Sequence, residues 1–399
     1  MTNPGDVGRA PGADSQEEQG TRLPQPAVSG FSRYLRAILP FLILGASISL
    51  LAVWTSRNGS AAQKDFISYW AAGRLLLQHQ NPYDPALVFQ LEKAAGFAEP
   101  EPLVMRNPPY ALFLALPLGF LNPPAGLVLW TLMIVGCIVA SVQVLRRIYG
   151  GQLPRGHFHA YLFAPSLACM TLGQTSPVIL LGVAGFLKWY RQRPFSAGLC
   201  LVLIAIKPHL LLPFGVVLVC WALLTGSYRI LSGAIGGLAL TMAIPLWLDR
   251  TLCSDFLPVL RKASSDSKVI PTVSSMLLLA AGRQRQWIQL LPALCAGIWA
   301  FGLYWRHRRE WDWSRYLPLL LVISIWVAPY SWLSDEIVVL PAILAANEVR
   351  TSHGKSITLF VALNGLAMVL VLLRVPMSSG AFLWTTSAWA GWYLLSLCK

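Results

Sequence analysis

Apolar residues gather along this chain in blocks of about 15 to 25, separated by short polar stretches. Blocks of that length match helices crossing a hydrocarbon core of roughly 30 Å, not the alternating strands of about ten residues that build a membrane barrel. They fall at about 37–54, 108–121, 124–145, 158–172, 176–190, 195–206, 208–225, 230–248, 286–305, 316–332, 336–347, 356–373 and 381–398. The pattern predicts an all-α polytopic membrane protein with about 10–12 transmembrane helices. Several blocks are too short to span alone. Pro208 interrupts 195–225, and Gly173-Gln174-Thr175-Ser176-Pro177 interrupts 158–190. Both predict broken or re-entrant helices, which a bilayer tolerates only where protein or water surrounds the backbone. Such breaks often line sites.

Residues 1–32 have almost nothing to bury and read as a disordered cytoplasmic tail, leaving 33–399 as the transmembrane domain. The first apolar block follows Arg33 and Arg36 without a small-residue cleavage pattern, which predicts an uncleaved signal anchor. Residues 55–107 then form a first extracytoplasmic loop. Within it Asp65 heads a helix running to about Leu77, with Phe66, Trp70 and Leu77 on one face. Asp84 as N-cap, Pro85 at the first helical position and Gly96 as terminator mark a second helix. Both are expected to be amphipathic and to lie on the outer leaflet.

Positive-inside reasoning puts 188–193, 306–309 and 350–355 in the cytoplasm and makes 249–285 a second outer loop. Residues 331–336 then share the outer side with Asp65. The stretch 146–157 is in conflict, because Arg146, Arg147 and Arg155 favour the cytoplasm whereas counting two spans from the outer loop returns it outside.

Composition reinforces the class, since 55% of residues are hydrophobic and only 12% are charged. The net charge of +14 comes from basic residues concentrated in short loops, so topology accounts for much of it and no nucleic-acid partner is expected. Seven scattered cysteines without a Cys-x-x-Cys read as packing residues, which argues against a disulfide framework or a metal site. The sixteen tryptophans sit mostly near predicted span ends, as an interfacial belt requires.

The candidate chemistry lies in the polar strings Lys64-Asp65-Phe66, Asn81-Pro82-Tyr83-Asp84-Pro85 and Arg106-Asn107-Pro108-Pro109, and at the two helix breaks. Asp65 is either a base at the membrane surface or a helix N-cap, worth about 0.5–2 kcal/mol. Lys207 interrupts an apolar run where an unpaired ammonium would be expensive. Its partner is a structural carboxylate, a headgroup or a ligand phosphate. Arg106, at the mouth of a span, is a second phosphate candidate, while Lys64 and Arg74 read as ordinary interfacial charges. Gln174 binds ligand hydroxyls or satisfies broken backbone, and His209 binds ligand or serves the structure. Asp335 caps the helix starting at Ile337 or belongs to the site. Trp332 and Tyr83 are candidates for stacking against a ligand.

The string DFISYWAAGRLLLQHQNPYDP followed by RNPPYALFLALPLGFL and Trp130 resembles glycosyltransferase family 87. The likeness continues through Gly173-Gln174, Ala197-Gly198, Ile206-Lys207-Pro208-His209 and Ala328-Pro329-Tyr330-Ser331-Trp332, covering roughly residues 38–345. It implies a GT-C-type fold in the cell membrane, the bacterial cytoplasmic membrane, with an extracytoplasmic active site. It also implies a mannosyltransferase drawing on a polyprenyl-phosphate donor, with a lipid or glycan acceptor and inversion by single displacement. Asp65 matches the expected catalytic base. Arg106 and Lys207 are the expected donor-phosphate ligands, and Gln174, His209, Tyr330 and Asp335 the expected substrate-binding residues. Many members carry a histidine pair after the late Ser-Trp, whereas this chain reads Ser331-Trp332-Leu333-Ser334-Asp335-Glu336. Roles given to those histidines do not transfer.

A monophosphate donor can be neutralised by Arg and Lys, and no Asp-x-Asp pair stands ready for a divalent ion, so neither metal nor cofactor is expected. The alternatives are a transferase for another polyprenyl-linked sugar, such as arabinose or glucose, and a flippase for a lipid-linked sugar. The two halves show no internal repeat, which favours the enzyme over the carrier.

Overall fold

The computed structural model describes residues 64–149, 158–265, 269–282, 286–349 and 354–397. The expected tail at 1–32, the first apolar block and Arg155 lie outside the described residues. In chain order the helices are α1 (Lys64–Leu77), α2 (Pro85–Ala94), α3 (Leu112–Gly119), α4 (Pro123–Tyr149), α5 (Ala164–Leu172), α6 (Ser176–Trp189), α7 (Pro194–Ile204) and α8 (Leu212–Leu224). They continue as α9 (Tyr228–Leu248), α10 (Leu252–Ser265), α11 (Val273–Ala281), α12 (Leu291–His307), α13 (Trp313–Val327), α14 (Leu340–Val349), α15 (Gly354–Leu372) and α16 (Thr385–Leu397). Short 3₁₀ turns at Pro109–Ala111, Pro208–Leu211 and Leu333–Val339 join several of them. No strand occurs among the described residues.

This is an all-α polytopic membrane protein. By length and composition, Pro123–Tyr149, Tyr228–Leu248 and Trp287–Glu310 can each cross a bilayer. The pair Pro194–Ile204 and Pro208–Leu224 would make a fourth span, bent by 116°. The other apolar blocks fold as shorter helices, so among the described residues the ten to twelve full spans suggested by block counting do not appear as such. The cause is visible in the sequence: Pro, Gly and polar breaks divide the blocks before they reach spanning length. The stretch 249–285, expected to be an outer loop, contains α10 and α11.

The helix ends follow their local signals. Asp84 caps α2 by accepting from the backbone of Ala86 at 2.8 Å and Leu87 at 3.2 Å. Gly96 takes φ +87° just past the end of that helix. α1 differs from the expected surface helix. Phe66, Ile67, Ala71, Ala72, Leu75 and Leu76 are all buried, and the Trp70 indole donates to Leu121 O at 2.9 Å. A helix apolar nearly all round is buried nearly all round. Here the polar positions are too few to leave a wet face. Arg74 donates to Gly119 O at 2.9 Å, closing the end of α3. Asp65 lies in the first turn of α1 rather than at an N-cap.

α7 is held between two helices that small residues let approach closely. A Cβ on Gly198 would stand 2.1 Å from Ile230 O, and one on Gly233 2.2 Å from Phe195 O. The α7–α9 contact therefore tolerates no side chain at either position. On the other side, Gly182 and Gly185 of α6 face Cys200. This packing fixes the turn that follows α7, which carries Lys207.

α6 and α13 run antiparallel and separate two ends of the bundle. At one end Asp312 caps α13, accepts from the Tyr190 hydroxyl at 2.9 Å and lies 3.3 Å from Arg191. At the other end, Ser176 opens α6 beside Asp335. Fourteen residues of α6 span about 20 Å at 1.5 Å per residue. The tryptophans divide between roles: Trp247 and Trp287 are exposed as a lipid-facing belt would be, whereas Trp130, Trp313 and Trp389 fill the core.

Candidate active site

Four segments distant in sequence meet at the Ser176 end. The first is the start of α1, bearing Asp65. The second is the break between α5 and α6. Gly173 leaves α5 with φ +76°, a conformation that favours glycine, and its carbonyl accepts from the Trp130 indole at 2.7 Å. The turn delivers Gln174, Thr175 and Ser176 to the site, all of them buried. The third segment is the turn between α7 and α8, held by Asn107 Nδ2 donating to Ile206 O at 3.2 Å and the Tyr110 hydroxyl donating to Ala205 O at 2.7 Å. The Pro at 208 forbids a continuous helix, and Lys207 sits at the bend. The fourth is the 3₁₀ turn after Trp332.

A continuous hydrogen-bonded chain joins them. Gln174 Nε2 donates to Asp65 Oδ2 at 2.6 Å, and Lys207 Nζ donates to Gln174 Oε1 at 2.7 Å. The same ammonium reaches Asp335 Oδ1 at 2.7 Å and Ser176 Oγ at 3.3 Å. Asp335 also accepts from the Ser176 hydroxyl at 2.5 Å and, through Oδ2, from the Trp332 backbone at 2.9 Å. Of the partners left open for Lys207, the structure supplies a carboxylate. Asp335 caps its own 3₁₀ turn rather than a helix starting at Ile337, and is only 1% exposed.

The remaining expected residues surround this chain. The His209 ring stands edge-on to Tyr330, with centroids 6.0 Å apart, and its Nε2 is a buried atom with no hydrogen-bond partner. The Tyr330 hydroxyl accepts from the Trp332 indole at 2.6 Å. Arg106 is exposed and lies within electrostatic reach of Tyr330, as do Asp65 and Asp335. Tyr83 lies away from the ring pair: it packs against Phe256 and donates to Asn107 O at 3.3 Å. That contact places it among the residues supporting the 106–110 segment. Among the described residues no group of three His, Cys, Asp or Glu side chains could hold a metal.

Sequence reasoning singled out Asp65, Arg106, Gln174, Lys207, His209, Tyr330 and Asp335, and the structure brings all seven to one end of the bundle. It missed Ser176, Thr175, Tyr69 and Glu336. Ser176 was visible only as part of a break. Tyr69 packs its ring against Trp130 at 4.9 Å beside the site, a contact no local pattern announces. Glu336 turns away from Lys207 to accept from Thr385 at 2.5 Å and the Trp389 indole at 2.7 Å, tying the site turn to α16.

Residues 106–334 match glycosyltransferase family 87. No curated protein and no solved structure matches the chain significantly. The matched segment contains Arg106, Gln174, Lys207, His209 and Tyr330, while Asp65 and Asp335 stand beyond its two ends.

Proposed function

The chain belongs to glycosyltransferase family 87, and from that premise we propose that it moves a hexose, mannose first among the candidates, from a polyprenyl-phosphate sugar to a lipid or glycan acceptor. The observation that carries this reading is the hydrogen-bonded chain Asp65–Gln174–Lys207–Asp335, partly buried at Asp65 and Lys207 and buried at Gln174 and Asp335, which draws four segments into one polar centre at one end of an apolar bundle. A polar centre assembled at that cost in desolvation calls for a function.

Asp65 takes the proton of the acceptor hydroxyl. The acceptor oxygen forms its bond to the anomeric carbon as the bond from that carbon to the phosphate oxygen breaks, and the polyprenyl phosphate leaves with the electron pair. One displacement inverts the anomeric centre. Developing charge on the departing phosphate needs a cation nearby. We assign that part to Arg106, which is exposed and within electrostatic reach of Tyr330. His209 and Tyr330 line the side on which the sugar would lie, and the unpartnered His209 Nε2 supplies a polar atom for one of its hydroxyls.

The loop charges support one sidedness for this site. Lys188, Arg191 and Arg193 stand at the far end of α6, about 20 Å from Ser176. A cytoplasmic location for those cations puts the Asp65 end outside the membrane. The carrier alternative loses its main support, because Lys207 is neutralised by Asp335 rather than kept for an anionic cargo.

The test is transfer in membranes expressing the protein, with labelled mannose, glucose or arabinose supplied separately on polyprenyl phosphate. Covalent labelling of an endogenous lipid or glycan from the mannose donor is the expected result. Labelling from another donor would change the sugar. Movement of intact donor across the membrane without any covalent product would replace the transferase reading.

A further inference from the structure

An ammonium only donates hydrogen bonds. The Gln174 atom 2.7 Å from Lys207 Nζ is therefore its carbonyl oxygen, and the amide nitrogen is left to face Asp65. Lys207 and Asp65 both prefer that orientation, the lysine by taking the carbonyl oxygen and the carboxylate by taking the amide nitrogen. In the flipped one, a carbonyl oxygen would oppose a carboxylate oxygen at 2.6 Å. The lysine is itself held. Asp335 Oδ1 accepts from it and from Ser176, while Oδ2 is tethered to the Trp332 backbone, so the carboxylate cannot rotate away. The three donors of Lys207 are thus matched by Gln174, Asp335 and Ser176, and its side chain is 12% exposed.

We propose that Lys207 is a positioning residue that acts on Asp65 through the Gln174 amide, with Asp335 as the counter-charge that allows a lysine to be placed there. The oriented amide N–H holds the Asp65 carboxylate in place and favours its ionised form, the form that accepts a proton. This differs from direct contact between Lys207 and the donor phosphate. It rests on the reading of Asp65 as the base, but its principal test does not need turnover.

Two variants of the full-length protein separate the possibilities. Gln174→Leu cuts the link and leaves the Lys207–Asp335 pair intact, and Lys207→Met/Asp335→Asn removes both charges together. In each, Asp65 is labelled with a carbodiimide, which reacts with the protonated carboxyl, over a range of pH and read by peptide mass spectrometry. The pH of half-labelling is expected to rise by about one unit in both variants, since a hydrogen bond to the charged form has been lost. With polyprenyl-phosphate mannose as donor, kcat is expected to fall about tenfold to a hundredfold through misplacement of the base, while donor KM stays within about twofold. An unchanged labelling profile in folded Gln174→Leu overturns the proposal, even if the double variant fails to fold. So does a rise in donor KM with kcat unchanged in the double variant, because that result assigns Lys207 to the phosphate. If the wild type transfers from none of the donors while the labelling shift appears, the transferase reading fails and the positioning role stands.

Discussion

Lys207 and Asp335 are 128 positions apart in the chain and meet at 2.7 Å, with Asp335 almost fully buried. Two charges in such a place are tolerable only together. Asp335→Ala strands the ammonium and is expected to cost about 3–5 kcal/mol of stability. Lys207→Met/Asp335→Leu should recover most of that loss, because an apolar pair carries no desolvation penalty. Thermal melting in one detergent compares the variants, and a double variant melting as low as Asp335→Ala would contradict the pairing.

The α7–α9 crossing predicts an asymmetry between glycines in one neighbourhood. Gly198→Val drives a side chain into the backbone at Ile230, whereas a Cβ on Gly236 meets nothing within 4 Å. The first should lose at least about 1–3 kcal/mol, and transfer activity with it, since α7 carries the Lys207 turn. Gly236→Val should melt within a degree or two of the wild type.

Glu92 is a buried carboxyl in α2. Burial pushes it up to about 7, even though the Leu103 N–H and the Lys93 charge oppose the shift. The folded state therefore holds a proton that the unfolded chain, titrating near 4.5, releases earlier. With the folded value raised, stability is highest below about 4.5 and declines as pH rises through about 7. Glu92→Gln should flatten that decline in melts between pH 5 and 8. An identical slope in both proteins would mean that Glu92 ionises without cost.

The proposed sidedness can be read from a native thiol. Cys253 is exposed on α10, whose Phe256 packs against Tyr83, and Tyr83 in turn contacts Asn107 beside the Lys207 turn. A membrane-impermeant maleimide should label Cys253 in intact cells, and Cys253→Ser should abolish that signal. Labelling confined to inside-out vesicles would place the site in the cytoplasm.

Much of this site was legible in the sequence because its members stand out against an apolar background: a lysine beside a proline, a glutamine after a glycine, a carboxylate at a helix start. Helix ends were equally legible where the signal is local, as with Asp84, Pro85 and Gly96. The partner of Lys207 was not. Three partners were open, and choosing among them needs the fold of α7 and α8, which brings residue 207 to residue 335. Burial of α1 was misjudged because helical periodicity shows which face is apolar, not how many neighbours will cover the helix. The helices within 249–285 were missed because α10 is amphipathic, not apolar throughout, and α11 is too short to register as a span.

The most direct measurement is sugar transfer from polyprenyl-phosphate mannose by purified wild-type protein and by Asp65→Asn, both reconstituted in proteoliposomes and both shown to be folded by melting. Asn keeps the shape of Asp65 but cannot accept the acceptor proton. Wild-type transfer falling by at least about a hundredfold in Asp65→Asn, as expected for loss of a general base, is the predicted result. Equal rates from two folded proteins would remove Asp65 from the chemistry and contradict the assignment of this polar centre as the active site.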